Sequence, residues 1–86
     1  MAIREIVVPA SVRRDLKKLP PHIREAFYKK LYLYLRNPHH PSLRVHKLLS
    51  KPGILSLSLS RTYRVTFFLE GEQLVVEAVG THEIYR

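Results

Sequence analysis

Two runs of strict alternation stand almost back to back, and they constrain the fold more than any other feature. Ile54-Leu55-Ser56-Leu57-Ser58-Leu59-Ser60 alternates apolar with hydroxyl residues, and Tyr63-Arg64-Val65-Thr66-Phe67-Phe68-Leu69 follows at once. A period of two is that of a β-strand with one face on a core. Leu55, Leu57 and Leu59, then Tyr63, Val65, Phe67 and Leu69, are expected on the core face. Ser56, Ser58 and Ser60, then Thr62, Arg64, Thr66 and Phe68, point the other way. The short link between the runs predicts an antiparallel hairpin. Arg64 lands mid-strand on a small, hydroxyl-rich face. Two readings stand for it: a solvated or salt-bridged sheet arginine, or a cation on a rigid mount that holds a phosphate. Pairing with Glu77 would make it inert.

The rest of the chain supplies the cover. Ile3 to Val8 reads as a first strand ended by Pro9. Ser11 is the expected cap of a helix running to Leu19, with Val12, Leu16 and Leu19 as its apolar stripe. Arg13 and Lys17, and Arg14 and Lys18, lie one turn apart and repel one another unless something negative meets them. Pro20-Pro21 breaks the chain, and Pro21 suits the first turn of a second helix. Ile23, Phe27, Leu31, Tyr34 and Leu35 recur at helical spacing, and Tyr28 and Tyr32 widen that face as packing residues. Arg24, Lys29, Lys30 and Arg36 are left for solvent, and Asn37-Pro38 ends the helix. Leu43 to Leu49 is either a short edge strand or an extended lead-in. Pro52-Gly53 and Glu70-Gly71-Glu72 are turns. Gln73 to Val79 is the last long strand, with Leu74, Val76 and Ala78 on one face and Val75, Glu77 and Val79 on the other. His82 and Tyr85 follow at its end. The expected architecture is a single α+β domain over residues 1–86, a two-helix hairpin packed on one face of a small antiparallel sheet in the order β-α-α-β-β-β.

Composition narrows the chemistry. With 86 residues, 45% of them hydrophobic, the chain suits one small domain with a real core. It has no cysteine, which excludes disulfides, thiolate nucleophiles and cysteine-held metals. His39 and His40 are neighbours in a loop without further ligands nearby, so no metal is expected, and no cofactor. No segment is long enough to span a membrane, and charges interrupt the opening residues where a signal peptide would be apolar, so a cytoplasmic protein is expected. Fifteen Lys and Arg against seven Asp and Glu leave a net charge of +8. That imbalance favours a polyanionic partner, whether RNA, DNA or an acidic protein segment, over the blander reading of a merely soluble basic protein.

Cleavage of RNA is one chemistry these residues suit. A base must take the proton of the 2′-hydroxyl, an acid must protonate the departing 5′-oxygen, and a cation must stabilise the charge gathering on phosphorus. Imidazoles exchange protons near neutral pH, and a guanidinium fork matches phosphate oxygens. His82 and Arg64 fall on adjacent strands and are placed to reach one phosphate. Tyr85 is placed to orient a base or share in proton transfer. The rival is a histidine that is only structural or solvated.

The chain also resembles the RelE/ParE superfamily of toxins from bacterial and archaeal toxin–antitoxin modules, over nearly its whole length. Asp15-Leu16-Lys17-Lys18-Leu19 is similar to the family's first helix, and Leu35-Arg36-Asn37-Pro38 to the end of its second. Tyr63-Arg64-Val65, followed by Val79-Gly80-Thr81-His82-Glu83-Ile84-Tyr85, resembles its two most telling segments. In the RelE-like branch this resemblance implies that Arg64 binds the scissile phosphate, that His82 stabilises phosphate or transfers a proton, and that Tyr85 matches a terminal tyrosine. Those toxins cut messenger RNA in the ribosomal decoding site without a metal. Arg61, Ser56, Ser58, Ser60 and His46 are the further residues expected to contact RNA. The chain departs from the pattern at two places. Serines stand where some members carry strand lysines, and Arg44, Val45 and His46 stand where others carry an upstream glutamate, so His46 is the residue available to replace it.

The resemblance leaves three functions in competition. The first is a ribosome-dependent endoribonuclease toxin acting on translated mRNA. The second is a ParE-like toxin that poisons DNA gyrase without catalysis. The third is a basic RNA-binding domain that shares only the fold. Either toxin implies a cognate antitoxin, and an acidic antitoxin segment is expected to meet Arg13, Arg14, Lys17 and Lys18.

Overall fold

The computed structural model describes residues 3–85 of the chain. Strand β1 (Glu5–Val7) leads into helix α1 (Ala10–Lys17) and helix α2 (Pro21–Arg36). A 3-10 turn (Pro41–Leu43) precedes β2 (His46–Lys47), β3 (Leu55–Ser58), β4 (Tyr63–Glu70) and β5 (Gln73–Thr81), and a second 3-10 turn (His82–Tyr85) follows. The sheet order is β1-β5-β4-β3-β2. Strands β2 to β5 pair antiparallel, as their short connections require. The expected antiparallel sheet closes differently at its far edge, where β1 lies parallel to β5, with Glu5 opposite Gln73. No tight turn joins those two strands, so no local signal sets their relative direction. The result is α+β, with two helices on a five-stranded mixed sheet.

The core lies between helices and sheet. Val12 and Leu16 of α1 and Ile23, Phe27 and Leu31 of α2 meet Leu57, Val65, Phe67, Leu74, Val76 and Val79. Tyr34 packs edge-on to Phe67, with ring centroids 5.0 Å apart, and burial pushes its phenol up from 10.0. The apolar stripe of α2 is narrower than its sequence suggests. Tyr28 and Tyr32 are exposed, because the rows through Phe27 and Leu31 already fill the space above the sheet.

The helix ends differ from expectation too. Ser11 makes no capping bond. The residue before α1 is Pro9, and the extended backbone it imposes lets the helix start at Ala10. The helix closes at Lys17, short of Leu19. Arg24, expected in solvent, donates to the carbonyls of Lys17 (3.2 Å) and Leu19 (2.7 Å) at that end. Pro21 does open α2.

One irregularity reorders the last hairpin. Glu70 to Phe67 pair with Gln73 to Val76, but Thr66 pairs with Ala78, so Glu77 is an extra residue in β5. This bulge turns Val79 into the core opposite Val65 and places Ala78 across from Thr66 on the other face, the reverse of plain alternation. Leu69 sits one pair from the turn that joins β4 to β5 and is half exposed.

Burial predicts opposite outcomes for two leucines. Leu57→Ala, at a position with no exposed surface, should lower unfolding free energy by about 2–5 kcal/mol. Leu49→Ala, whose side chain is 99% exposed, should change it by less than about 0.5 kcal/mol. Urea denaturation of the two variants beside the parent checks both.

Candidate functional site

The face of the sheet away from the helices is built from short polar side chains in register. One row runs His46, Ser56, Thr66, Ala78, and the next runs Ser58, Arg64, Gly80. The hydroxyl residues are not open to solvent as their polarity suggests. Ser56 and Thr66 are fully buried, and Ser58 nearly so. The 3-10 turn after β5 folds back across them. The Tyr85 hydroxyl and Ser56 Oγ are hydrogen-bonded at 2.5 Å, and Lys51 Nζ donates to the Ile84 carbonyl at 3.2 Å. Gly80 permits the fold-back, since a Cβ there would stand 2.9 Å from Ile84 Cγ2.

Arg64 is half-buried in the second row. Its Nη1 donates to Ser60 O (2.7 Å), Ser58 Oγ (3.1 Å) and Tyr63 O (3.1 Å). All three acceptors are neutral. Glu77, the carboxylate placed to cancel its charge, is engaged elsewhere. It accepts from Thr66 Oγ1 at 2.8 Å and pairs with Lys51 at 3.5 Å. Among the described residues Arg64 enters no ion pair, so its position is fixed through one nitrogen while its charge stays uncompensated.

His46 lies on the neighbouring row and meets Tyr85 edge to face, centroids 6.3 Å apart at 89°. Its Nδ1 is 3.3 Å from the Arg44 carbonyl. A carbonyl only accepts, so in the neutral ring that contact favours the proton on Nδ1 and leaves the Nε2 lone pair free. His82 opens the terminal turn, is exposed, and makes no hydrogen bond to Arg64. Arg61 is exposed in the β3–β4 link, and Ser60 accepts from the backbone N–H groups of Thr62 and Tyr63 through its hydroxyl. Arg13, Arg14, Lys17 and Lys18 are all exposed on or just after α1, on the helical side of the sheet and away from these rows. The structure therefore gathers Arg64, Ser56, Ser58, Ser60, His46 and Tyr85, sets His82 and Arg61 at the rim, and separates the α1 cations. Lys51 is the site residue that pattern reading missed. It lies in a turn, where no periodicity marks a contact with Glu77 and Ile84.

The paired histidines of the loop do other work. His40 Nδ1 accepts from the backbone N–H of Ser42 at 3.2 Å, which caps the first 3-10 turn.

The buried Tyr85–Ser56 contact yields a thermodynamic prediction. Tyr85→Phe should cost about 1–3 kcal/mol, because it strands the Ser56 hydroxyl under an apolar ring. Adding Ser56→Ala should recover much of that loss. A double-mutant cycle by denaturant melts reads the coupling, and strict additivity would mean that the contact is not formed.

No protein-family model and no curated protein matches the sequence. Solved structures do match it. The YoeB/ParE toxin from Agrobacterium tumefaciens superposes with a TM-score of 0.77 at 16% identity, covering 92% of this chain and 99% of that one. The toxin RelE of E. coli in its free state gives 0.72 at 24% identity, over 98% of this chain and 87% of that one. The toxin–antitoxin complex RelBE2 from Mycobacterium tuberculosis gives 0.70 at 29% identity, over 94% of this chain and the full 100% of the other. In fold, and over nearly its whole length, this chain is similar to solved toxins of the RelE and YoeB/ParE kind.

Proposed function

We propose that the chain is the toxin of a toxin–antitoxin module and that it cleaves translated messenger RNA on the ribosome without a metal. The observation that carries this reading is the state of Arg64. A half-buried guanidinium held by neutral acceptors, with its natural carboxylate partner diverted to Lys51, is primed for an anion. A salt-bridged sheet arginine would be paired, and a solvated one would not be held by three protein acceptors.

The order of the rows supports roles for its neighbours. Arg64 lies between the row that holds His46 and the turn that begins at His82. In-line cleavage needs its base and its acid on opposite sides of the phosphorus. His46, with Nε2 free in the neutral ring, takes the proton of the 2′-hydroxyl, and its perpendicular contact with Tyr85 orients it. His82 protonates the leaving 5′-oxygen. Arg64 binds the non-bridging oxygens and stabilises the charge that grows on them. Ser58 and Ser60 position Arg64, and Ser56 positions Tyr85.

Inducing the protein in cells and mapping new 5′ ends on messenger RNA tests this. Cuts should appear at codons under translation. Arg64→Ala should reduce them by about 10²–10³-fold, the usual cost of losing one transition-state donor, and His46→Ala and His82→Ala should each reduce them by about 10²-fold or more. Growth arrest without cuts, undiminished in the three variants, would instead point to gyrase as target.

The partner is a cognate antitoxin with an acidic segment. Solved structures of the same fold include antitoxin–toxin complexes of RelB with RelE and of DinJ with YafQ. Between α1 and α2 runs a groove lined by Leu16, Pro21 and Tyr28, with Arg13, Lys17 and Arg24 outnumbering the single carboxylate of Glu25, a balance that suits an amphipathic acidic segment. Reversing Arg13, Arg14, Lys17 and Lys18 to glutamate should slow association with the antitoxin by about tenfold or more and flatten its salt dependence. Stopped-flow mixing at two ionic strengths checks this, and unchanged rates would remove α1 from the interface.

A further inference from the structure

A second cationic cleft adjoins Arg64. Lys30 comes to it from α2, Ser42 and Arg44 from the first 3-10 turn and its end, and Ser58, Ser60 and Arg61 from the far side. Three cations thus converge from three separate segments. No carboxylate lines the cleft, and none of the three enters an ion pair among the described residues. Lys30 Nζ is held toward it by the Ser42 hydroxyl at 3.2 Å.

Arg44 is the residue that singles this cleft out. Its backbone has φ 48° and ψ 47°, and among the described residues it is the one non-glycine with positive φ. Left-handed backbone costs a long side chain about 1–2 kcal/mol, and such strain tends to persist at functional positions. Here the arginine borders both the cleft and the neighbouring hollow that His46 lines, and its carbonyl faces His46.

The geometry points to a second phosphate subsite, for a phosphodiester of single-stranded RNA next to the one at Arg64. The cleft shares Ser58 and Ser60 with the Arg64 site, the same two residues that hold the guanidinium. A strand laid across Arg64 therefore passes into the cleft without crossing another element. The lining also favours phosphate over an acidic peptide. It offers cations and hydroxyls but no exposed apolar anchor, as its one leucine, Leu59, is buried in the core. This inference rests on the nuclease reading for its strand and for the position of the first phosphate.

The test is amide NMR titration of the whole protein, at low salt, with a 2′-O-methylated decanucleotide that cannot be cleaved. Backbone amides of Ser42, Ser58 and Ser60 should shift together with that of Arg64. Arg44→Asn with Arg61→Gln should weaken binding about tenfold and lower the salt slope by about 0.7, the share of one single-strand phosphate. Asparagine tolerates left-handed backbone, so the pair should fold, and a melt beside the parent verifies it. Silence at the cleft amides, or an unchanged affinity and slope in the folded variant, overturns the inference. So does polyglutamate at equal charge shifting the cleft amides as strongly as RNA does. Mapped cuts in cells with a silent cleft would sink this subsite and leave the nuclease standing. Cleft binding as described, with no cuts in cells, would retain an RNA subsite and sink the nuclease.

Discussion

The extra residue in β5 decides what the sheet presents. Without the bulge opposite Thr66 and Phe67, Thr66 would face Glu77 and Arg64 would face Val79. With it, Arg64 faces Gly80, and Val79 enters the core. Glu77 is freed from the ladder and reaches both Thr66 and Lys51. Gly80 brings the one residue without a side chain to the place where the terminal turn must double back over the sheet. One local irregularity thus sets the partner of the arginine, diverts the carboxylate and brings Tyr85 over the serines. Bulges recur beside functional positions because they re-aim side chains in this way.

The uncompensated charge of Arg64 is tolerable because every acceptor around it is well formed. Half-burial removes part of its hydration, and two carbonyls and a hydroxyl replace it at one nitrogen. Had Glu77 remained its partner, breaking that pair would oppose the entry of any other anion. Lys51 does the diverting from a turn. It also holds the Ile84 carbonyl, so the cation that occupies Glu77 is the one that fastens the terminal turn. The state of Arg64 and the closure of Tyr85 are therefore coupled through a single lysine.

Much of this fold is legible in the chain. The alternation at Leu55 to Ser58 and Tyr63 to Phe67, and Pro21 at the start of α2, mark elements through local physics alone, and they stand where that physics puts them. Pairing that depends on distant residues is not legible. The parallel contact of β1 with β5 has no turn to signal it, and a bulge leaves a residue pattern that reads as plain alternation. The burial of Ser56 follows from where a tyrosine 29 positions away comes to rest. Arg64 and Tyr85 stand out by type and spacing. Lys51 and the strained Arg44 carry no pattern, because their meaning lies in contacts made by turns.

The serines explain why this site can be closed at all. The family resemblance leads one to expect lysines on that strand, yet a lysine at position 56 would have to be buried beneath Tyr85 with no carboxylate to receive it, at a cost larger than most single contacts return. Serine is small enough for the ring to settle and polar enough to bond its hydroxyl. Strand lysines would also crowd like charges beside Arg64 and raise the energy of the empty site. With hydroxyls on the strand, positive charge moves outward to Lys30, Arg44 and Arg61, which approach from flanking segments, the two arginines exposed and Lys30 half-buried. Within the face Lys51 is paired with Glu77 and Arg64 is left unpaired among the described residues, while the other cations stand around it, an arrangement in which attraction for a polyanion does not come at the expense of packing.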